Sequence, residues 1–347
     1  MLVFIRKTIS AICVIAILCS IGIIAFAEGD SEQLHEKINQ DELTDWIENY
    51  LEENHLLTHG EIISVGFCDL YNSDSWYYNG DEWMYPASLY KVPVAMLVTE
   101  QYAGGVISID DTYNGVRICD FVYNALVYSD NDSALQLVEY LGGTRESKCA
   151  EQTKKFTMLS DDYFDEQFYT KSYYTARYMT EVFETLYCVG DCHPSVIYDL
   201  CQAVPEGFNS LMGADYIKAM KYGSYDRNQT CSGIVFTPNP IIITIFTKNV
   251  ANFKTVMKEI GDHLIEYSLT LHKHPAKLSN WLINEIHPET TMNKIASTAA
   301  DYLGIEQKQI DPLEKIIKPS DRYCVLTYDE NGKQVFVKKA DWIASQQ

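Results

Sequence analysis

Ser88-Leu89-Tyr90-Lys91 is the only Ser-x-x-Lys in this 347-residue chain, and it lies in the run Tyr85-Pro-Ala-Ser-Leu-Tyr-Lys-Val-Pro93. A serine hydroxyl is a weak nucleophile at neutral pH until a neighbouring group takes its proton. A lysine three residues along a helix lies one turn further on the same face. Burial disfavours its charged form and turns the amine into a usable base. The apolar residues from Val92 to Val98 supply that burial, so the spacing predicts a serine at the mouth of a buried helix.

Two further clusters have the residue types to complete such chemistry. Tyr128-Ser129-Asp130-Asn131 comes directly before an amphipathic stretch, and taken alone it reads as a helix N-cap, where Ser, Asp and Asn are preferred. Lys221-Tyr222-Gly223-Ser224 falls on a predicted strand and contains the chain's only Lys-x-Gly. Taken alone it reads as a strand with a solvated lysine.

The elements that must position these groups follow from periodicity. Leu43, Trp46, Ile47, Tyr50 and Leu51 recur at helical spacing within residues 41–55. Residues 61–70 and 75–78 read as two strands joined by the turn-rich segment Tyr71-Asn-Ser-Asp. A mostly helical region runs from Ser88 to about Leu211, with apolar stripes at Ala134, Leu135, Val138 and Leu141 and at Met179, Val182, Phe183 and Leu186. Strands return at 216–225, 230–237 and 241–247, and a last helix carries Phe253, Val256, Met257, Ile260, Leu264 and Tyr267. This order predicts an α+β fold, a five-stranded antiparallel sheet flanked by helices with an all-helical region inserted between its second and third strands. The cleft between sheet and helices is the natural site.

In this order and on these elements the three clusters resemble the motif set of the penicillin-recognising serine acyl-enzymes, Ser-x-x-Lys, Ser-Asp-Asn and Lys-Thr-Gly. The chain is similar to the class A β-lactamase-like serine hydrolases and the related DD-peptidases over roughly residues 37–272. The resemblance implies that Ser88 is the acylated nucleophile and that Lys91 accepts its proton. Ser129 would relay a proton to the leaving nitrogen, assisted by Lys221, whose charge also draws a substrate carboxylate. Asn131 would hold the substrate's acylamido group, beside Tyr222, Gly223 and Ser224 on the strand. The backbone N–H groups of Ser88 and Ser224 would form the oxyanion hole.

Two departures qualify the resemblance. Tyr222 replaces the usual threonine, so carboxylate binding passes to Ser224 or Arg227. The second concerns the glutamate of the Glu-x-x-Leu-Asn segment that activates the deacylating water in class A enzymes. No such pattern occurs in Leu159-Ser-Asp-Asp-Tyr-Phe-Asp-Glu-Gln-Phe168, where Asp161, Asp162, Asp165 and Glu166 are the candidate acids. A persistent acyl-enzyme is therefore expected.

Residues 1–27 read as a signal peptide or N-terminal anchor: Arg6 and Lys7, then an apolar run, then Ala25-Phe26-Ala27. This predicts an exported protein, secreted or extracytoplasmic, with any membrane association confined to that segment. Residues 28–274 form the hydrolase domain, and 275–347 a C-terminal extension with two helical stretches and a hairpin. The net charge of −21 argues against nucleic acid as a partner. Eight cysteines after the signal permit disulfides in an exported chain. Cys188-x3-Cys192-His193 has no second half for a zinc site, and neither it nor His272-x-His274 calls for a metal. No cofactor is expected, and nothing in the sequence sets an oligomeric state. The partner is a small-molecule β-lactam or a peptidoglycan peptide. Three functions compete: a β-lactamase-like serine hydrolase, a DD-carboxypeptidase or transpeptidase with slow deacylation, and a catalytically idle surface domain that keeps the cleft for binding or sensing.

Overall fold

The computed structural model describes residues 37–271, except 72, 109, 189–193, 204–215, 217 and 238, together with the backbone of 324–328 and 334–338. Its centre is a five-stranded antiparallel sheet in the order β2-β1-β7-β6-β5, with β1 Ile62–Asp69, β2 Asp74–Tyr78, β5 Lys218–Tyr225, β6 Asn228–Val235 and β7 Ile241–Lys248. The run Ile-Ile-Ile-Thr-Ile-Phe-Thr-Lys of β7 is β-branched and buried along nearly its whole length, which suits a central strand covered on both faces.

Alternation along that strand sorts the core into two clusters. Ile241, Ile243 and Ile245 pack with Leu43, Ile47 and Leu51 of helix α1 (Gln40–Glu53). The same cluster takes Val256, Ile260 and Leu264 of the C-terminal helix Phe253–Leu271. Ile242 and Phe246 face the other way, toward the helical insertion. There α2 (Lys91–Ala103) presents Val92, Val94, Ala95, Met96, Leu97 and Val98, all buried. A helix apolar on every face belongs in a core, and α3 (Ile118–Val127) and α4 (Asn131–Tyr140) surround it. Helix Ala176–Cys188 lies between the insertion and the sheet and adds Met179, Val182, Phe183 and Leu186.

Beneath that helix the sheet carries polar groups. Thr180 Oγ1 donates to Ala176 O at 2.9 Å and so accepts in its 2.9 Å contact with Thr244 Oγ1, which meets Ser232 Oγ at 2.7 Å. The chain of hydroxyls satisfies itself in the interior, where an unpaired one would be costly. Gly66 pairs with Thr244 in register and leaves room for this chain.

The predicted strands and the first helix take these places with shifts of at most two residues at their ends. Two details differ. The helix expected from Ser88 begins as a single 3-10 turn, Ala87–Tyr90, and becomes α-helical only at Lys91. Pro86 and Ala87, the latter at φ 47°, set that start, and Pro93 falls in the first α-turn, where its missing N–H costs nothing. A small hairpin, β3 Thr112–Tyr113 with β4 Val116–Arg117, was not anticipated, although Asn114-Gly115, at φ 50° and 81°, is a hairpin-turn dipeptide. Among the described residues Cys68, Cys149, Cys188 and Cys231 form no disulfide. Residues 1–27, Cys192-His193, His272-x-His274 and the helical stretches 278–286 and 295–303 lie outside the described residues. Within the extension the hairpin pairs β8 Cys324–Tyr328 with β9 Gln334–Lys338.

A methyl group on Gly66 would stand 2.2 Å from Thr180 Oγ1 and 3.3 Å from Ala176 O. Gly66→Ala is expected to cost about 1–3 kcal/mol by overpacking and by parting the hydroxyl chain, read as a lowered denaturant midpoint in urea unfolding.

Candidate active site

The 3-10 turn brings Ser88 and Lys91 together. In a 3-10 helix residues three apart eclipse one another, so the two side chains leave the same edge of the turn. Ser88 is half-buried at the surface of the turn, and Lys91 is fully buried. Its ammonium is held by the segment between α3 and α4. Nζ donates to Ser129 O at 2.6 Å, to Asn131 Oδ1 at 2.8 Å and, more weakly, to Ser129 Oγ at 3.3 Å. Three donors thus meet three acceptors, and the Ser129 Oγ bond is the one most readily exchanged for Ser88.

The corner that supplies these acceptors follows from local sequence. Ser129 sits in the left-handed region at φ 57°, which aims its carbonyl at Lys91. Asp130 is the N-cap of α4 and accepts from Ser133 N at 2.6 Å. The capping and chemical readings of Ser-Asp-Asn therefore both hold, with Asp130 capping the helix while Ser129 and Asn131 on either side face Lys91. Because Asn131 Oδ1 accepts from Lys91, its Nδ2 is left to donate into the cleft.

The strand supplies the opposite wall. Gly223 lies so close to the turn that a β-carbon there would stand 2.5 Å from Pro86 O, 2.6 Å from Thr230 Oγ1 and 2.7 Å from Ser88 N. Thr230, paired with Gly223 in register, donates Oγ1 to Pro86 O at 2.9 Å and ties β6 to the same turn. This close approach puts the strand backbone of Gly223 beside the Ser88 N–H. Ser224 follows at the exposed end of β5, and Arg227 is exposed in the β5–β6 turn. Lys221 is fully buried; its Nζ has no hydrogen-bond partner among the described residues and lies 4.5 Å from the centre of the Tyr222 ring. Burial raises the Tyr222 hydroxyl above its ordinary range, with Ser129 acting against that rise. Ser88, Lys91, Ser129, Asn131, Lys221, Tyr222 and Gly223 are thus brought to one cleft.

Electrostatics follow burial. Desolvation pulls Lys91 down to about 8 against the pull of Asp130, with Lys148 adding to the fall. Desolvation, reinforced by the Lys91 charge, takes Lys221 to about 7. Lys148, which no motif marked, is itself buried and lowered to about 8 by desolvation and by Arg145. Its only signal in the sequence was a lysine shortly after the Ser-Asp-Asn helix.

The four acids of the 159–168 segment have other positions. Asp161 pairs with Lys154 at 2.8 Å, and Asp165 caps helix Glu166–Lys171 by accepting from Gln167 N at 2.7 Å. Asp162 and Glu166 are exposed. Asp130 and Lys148 are the charges that act on Lys91. Among the described residues no three His, Cys, Asp or Glu side chains gather where they could hold a metal ion.

Residues 42–268 match a family profile described as "Beta-lactamase enzyme family". Solved structures share the fold. An ancestral class A beta-lactamase superposes at a TM-score of 0.54 with 20% identity, covering 65% of this chain and 99% of that one. A class A beta-lactamase described as the last common ancestor of Gram-negative bacteria gives 0.54 at 18% identity, over 65% and 99%. A beta-lactamase from Chitinophaga pinensis gives 0.51 at 16% identity, again over 65% and 99%. No curated protein sequence matches the chain.

Three outcomes test the site with a penicillin that reports acylation. Gly223→Ala pushes strand and turn apart, so acylation is expected to slow at least about a hundredfold, measured by stopped-flow fluorescence. A base must be neutral to accept a proton, and Lys91 is protonated below about 8. The maximal acylation rate should therefore rise about tenfold per pH unit below that value and level off above it. Lys221 loses its charge near 7, so the concentration of carboxylated probe needed for half-saturation should rise above that pH.

Proposed function

The chain belongs to the beta-lactamase enzyme family, and on that premise we propose that it is an exported serine hydrolase working through an acyl-enzyme on Ser88. The acyl donor is a β-lactam or a peptidoglycan-derived amide. One observation carries the reading: a buried Lys91, held by Ser129 and Asn131, shares one edge of a 3-10 turn with Ser88.

The steps follow from the groups present. Lys91 gives up its weak bond to Ser129 Oγ, takes the Ser88 proton, and Ser88 Oγ attacks the amide carbonyl. Charge develops on the carbonyl oxygen beside the Ser88 N–H, with the Ser224 N–H as its second donor. Ser129, between Lys91 and the Tyr222 hydroxyl, passes a proton to the departing nitrogen, and the uncompensated Lys221 ammonium attracts the substrate carboxylate. Asn131 Nδ2 donates to the acyl amide.

A specific observation favours slow release, as in a DD-carboxypeptidase or transpeptidase. Asp161 and Asp165 are engaged with Lys154 and Gln167, and Asp162 and Glu166 face solvent. The reading thus has water attack without a carboxylate base, and the acyl-enzyme outlives acylation. Export rests on the composition of residues 1–27.

Incubation with a fluorescent penicillin, followed by intact mass, tests the proposal. A long-lived adduct on Ser88, absent in Ser88→Ala and formed at least about a hundredfold more slowly in Lys91→Ala, is expected. A transient adduct with ring-opened product would overturn slow release. No adduct with any β-lactam, and no D-alanine freed from a peptidoglycan peptide, would overturn the enzymatic reading and leave a binding domain.

A further inference from the structure

Lys148 takes no part in the steps above, yet the fold is built tightly around it. Lys148 and Cys149 both occupy the left-handed region, at φ 43° and 61°, a conformation that persists only where surroundings enforce it. Here they do. Thr144 N donates to Ser147 Oγ at 3.0 Å, Ser147 N to Thr144 Oγ1 at 3.1 Å and Lys148 N to Thr144 O at 2.9 Å, while Ser172 Oγ donates to Glu146 O. This turn drives the Lys148 side chain inward until 8% of the residue remains exposed. Its Nζ lies 4.6 Å from the centre of the Tyr90 ring and 4.8 Å from that of Tyr85, on residues flanking Ser88. Its one hydrogen bond among the described residues is a long one to Tyr85 Oη, at 3.5 Å. An ammonium carries three donors, so two remain unspent.

The surrounding charge is one-sided. Among the described residues neither Lys148 nor the exposed Arg145 forms an ion pair. Glu146 between them has an exposed side chain and contributes its carbonyl alone. Lys148 lowers Lys91 and the Lys91 charge in turn lowers Lys221, while the Tyr85 and Tyr90 rings that Lys148 touches lie on the segment that carries Ser88. A protein with 48 acidic against 27 basic residues has thus collected Lys91, Lys148, Lys221 and Arg145 around one cleft. A lysine kept only to pack against two tyrosines would need neither the left-handed turn nor the other cations. Fields of one sign focused in a cleft favour a ligand of the other.

We propose that Lys148, with Arg145 at its outer edge, is an anion-recognising group, and that the acyl donor carries a carboxylate on its acyl side besides the one drawn to Lys221. The Tyr85 ring, 5.1 Å from that of Tyr225 and 6.1 Å from that of Tyr173, gives this subsite an aromatic wall. The substrate class is a dianionic amide, and this rests on the acyl-enzyme reading of Ser88.

The test uses matched pairs of probes. Wild-type protein is acylated by benzylpenicillin and by its α-carboxybenzyl analogue, with rates read from intact mass. The carboxylated probe should react about tenfold faster, the worth of one buried charge-assisted contact. Lys148→Met should bring the ratio to about one and Arg145→Gln should lower it part of the way. Separately, phenylmalonate and phenylacetate are titrated into Ser88→Ala protein by calorimetry. Phenylmalonate should bind about tenfold more tightly, again only with Lys148 in place. Because emptying a buried site can unfold a protein, Lys148→Arg is included and should keep the preference. Equal rates and equal affinities for both members of each pair, or preferences that survive Lys148→Met, overturn the proposal. A Lys148-dependent preference for phenylmalonate without acylation of Ser88 by any probe would instead sink the acyl-enzyme reading and leave the anion site standing.

Discussion

The site depends on burying the Lys91 ammonium. Removing such a charge from water costs several kcal/mol unless the protein supplies acceptors in place of the lost solvent. Each nearby element provides part of that compensation. The α3–α4 corner offers a carbonyl, a hydroxyl and an amide oxygen, and it can do so because Ser129 accepts a left-handed conformation and Asp130 fastens the helix behind it. None of the three acceptors carries charge, so the ammonium is stabilised enough to fold and too little to stay protonated far into alkaline solution. Aspartate in the place of Asn131 would satisfy folding better and leave a poorer base.

The second constraint is contact between backbones. Gly223 meets the turn before Ser88 without a side chain between them, and Thr230 reaches through the gap to Pro86 O. Sheet and turn behave as one piece at that point. The Ser88 N–H is fixed relative to β5 by main-chain atoms, whose positions side-chain motion does not disturb. Preorganisation of this kind favours a transition state over the more adaptable ground state.

Much of this was legible in the sequence because it depends on local spacing. Ser88 and Lys91 stand three apart, Ser129 to Asn131 are consecutive, and β7 announces itself by β-branched composition. Periodicity also picked out Leu43, Ile47 and Leu51, and Met179, Val182 and Phe183, as apolar helix stripes, and the fold packs the two sets into separate core clusters. What escaped depends on contacts distant in sequence or on backbone detail. The start of α2 was misplaced because proline and a left-handed alanine decide it together. Lys148 was missed because a buried lysine and a solvated one look alike until the chain folds. The acids at 161–166 had the right chemistry, and only the folded segment shows Asp161 paired with Lys154 and Asp165 spent on capping the helix that follows it. The cysteines followed the same rule: composition permits a bridge, and only geometry decides whether two thiols meet.

The helical insertion has a consequence for how this molecule comes into being. The chain leaves the sheet at Tyr78 and rejoins it at Lys218, with Ser88 just past the exit and Lys221 just past the return. Helices in between can form early from neighbouring residues, but the strand wall cannot meet the turn until that long excursion closes. Ser88 and Lys221 therefore become neighbours only when that loop closes. An intermediate with most of its helices formed would still lack the junction of turn and strand on which the site is built.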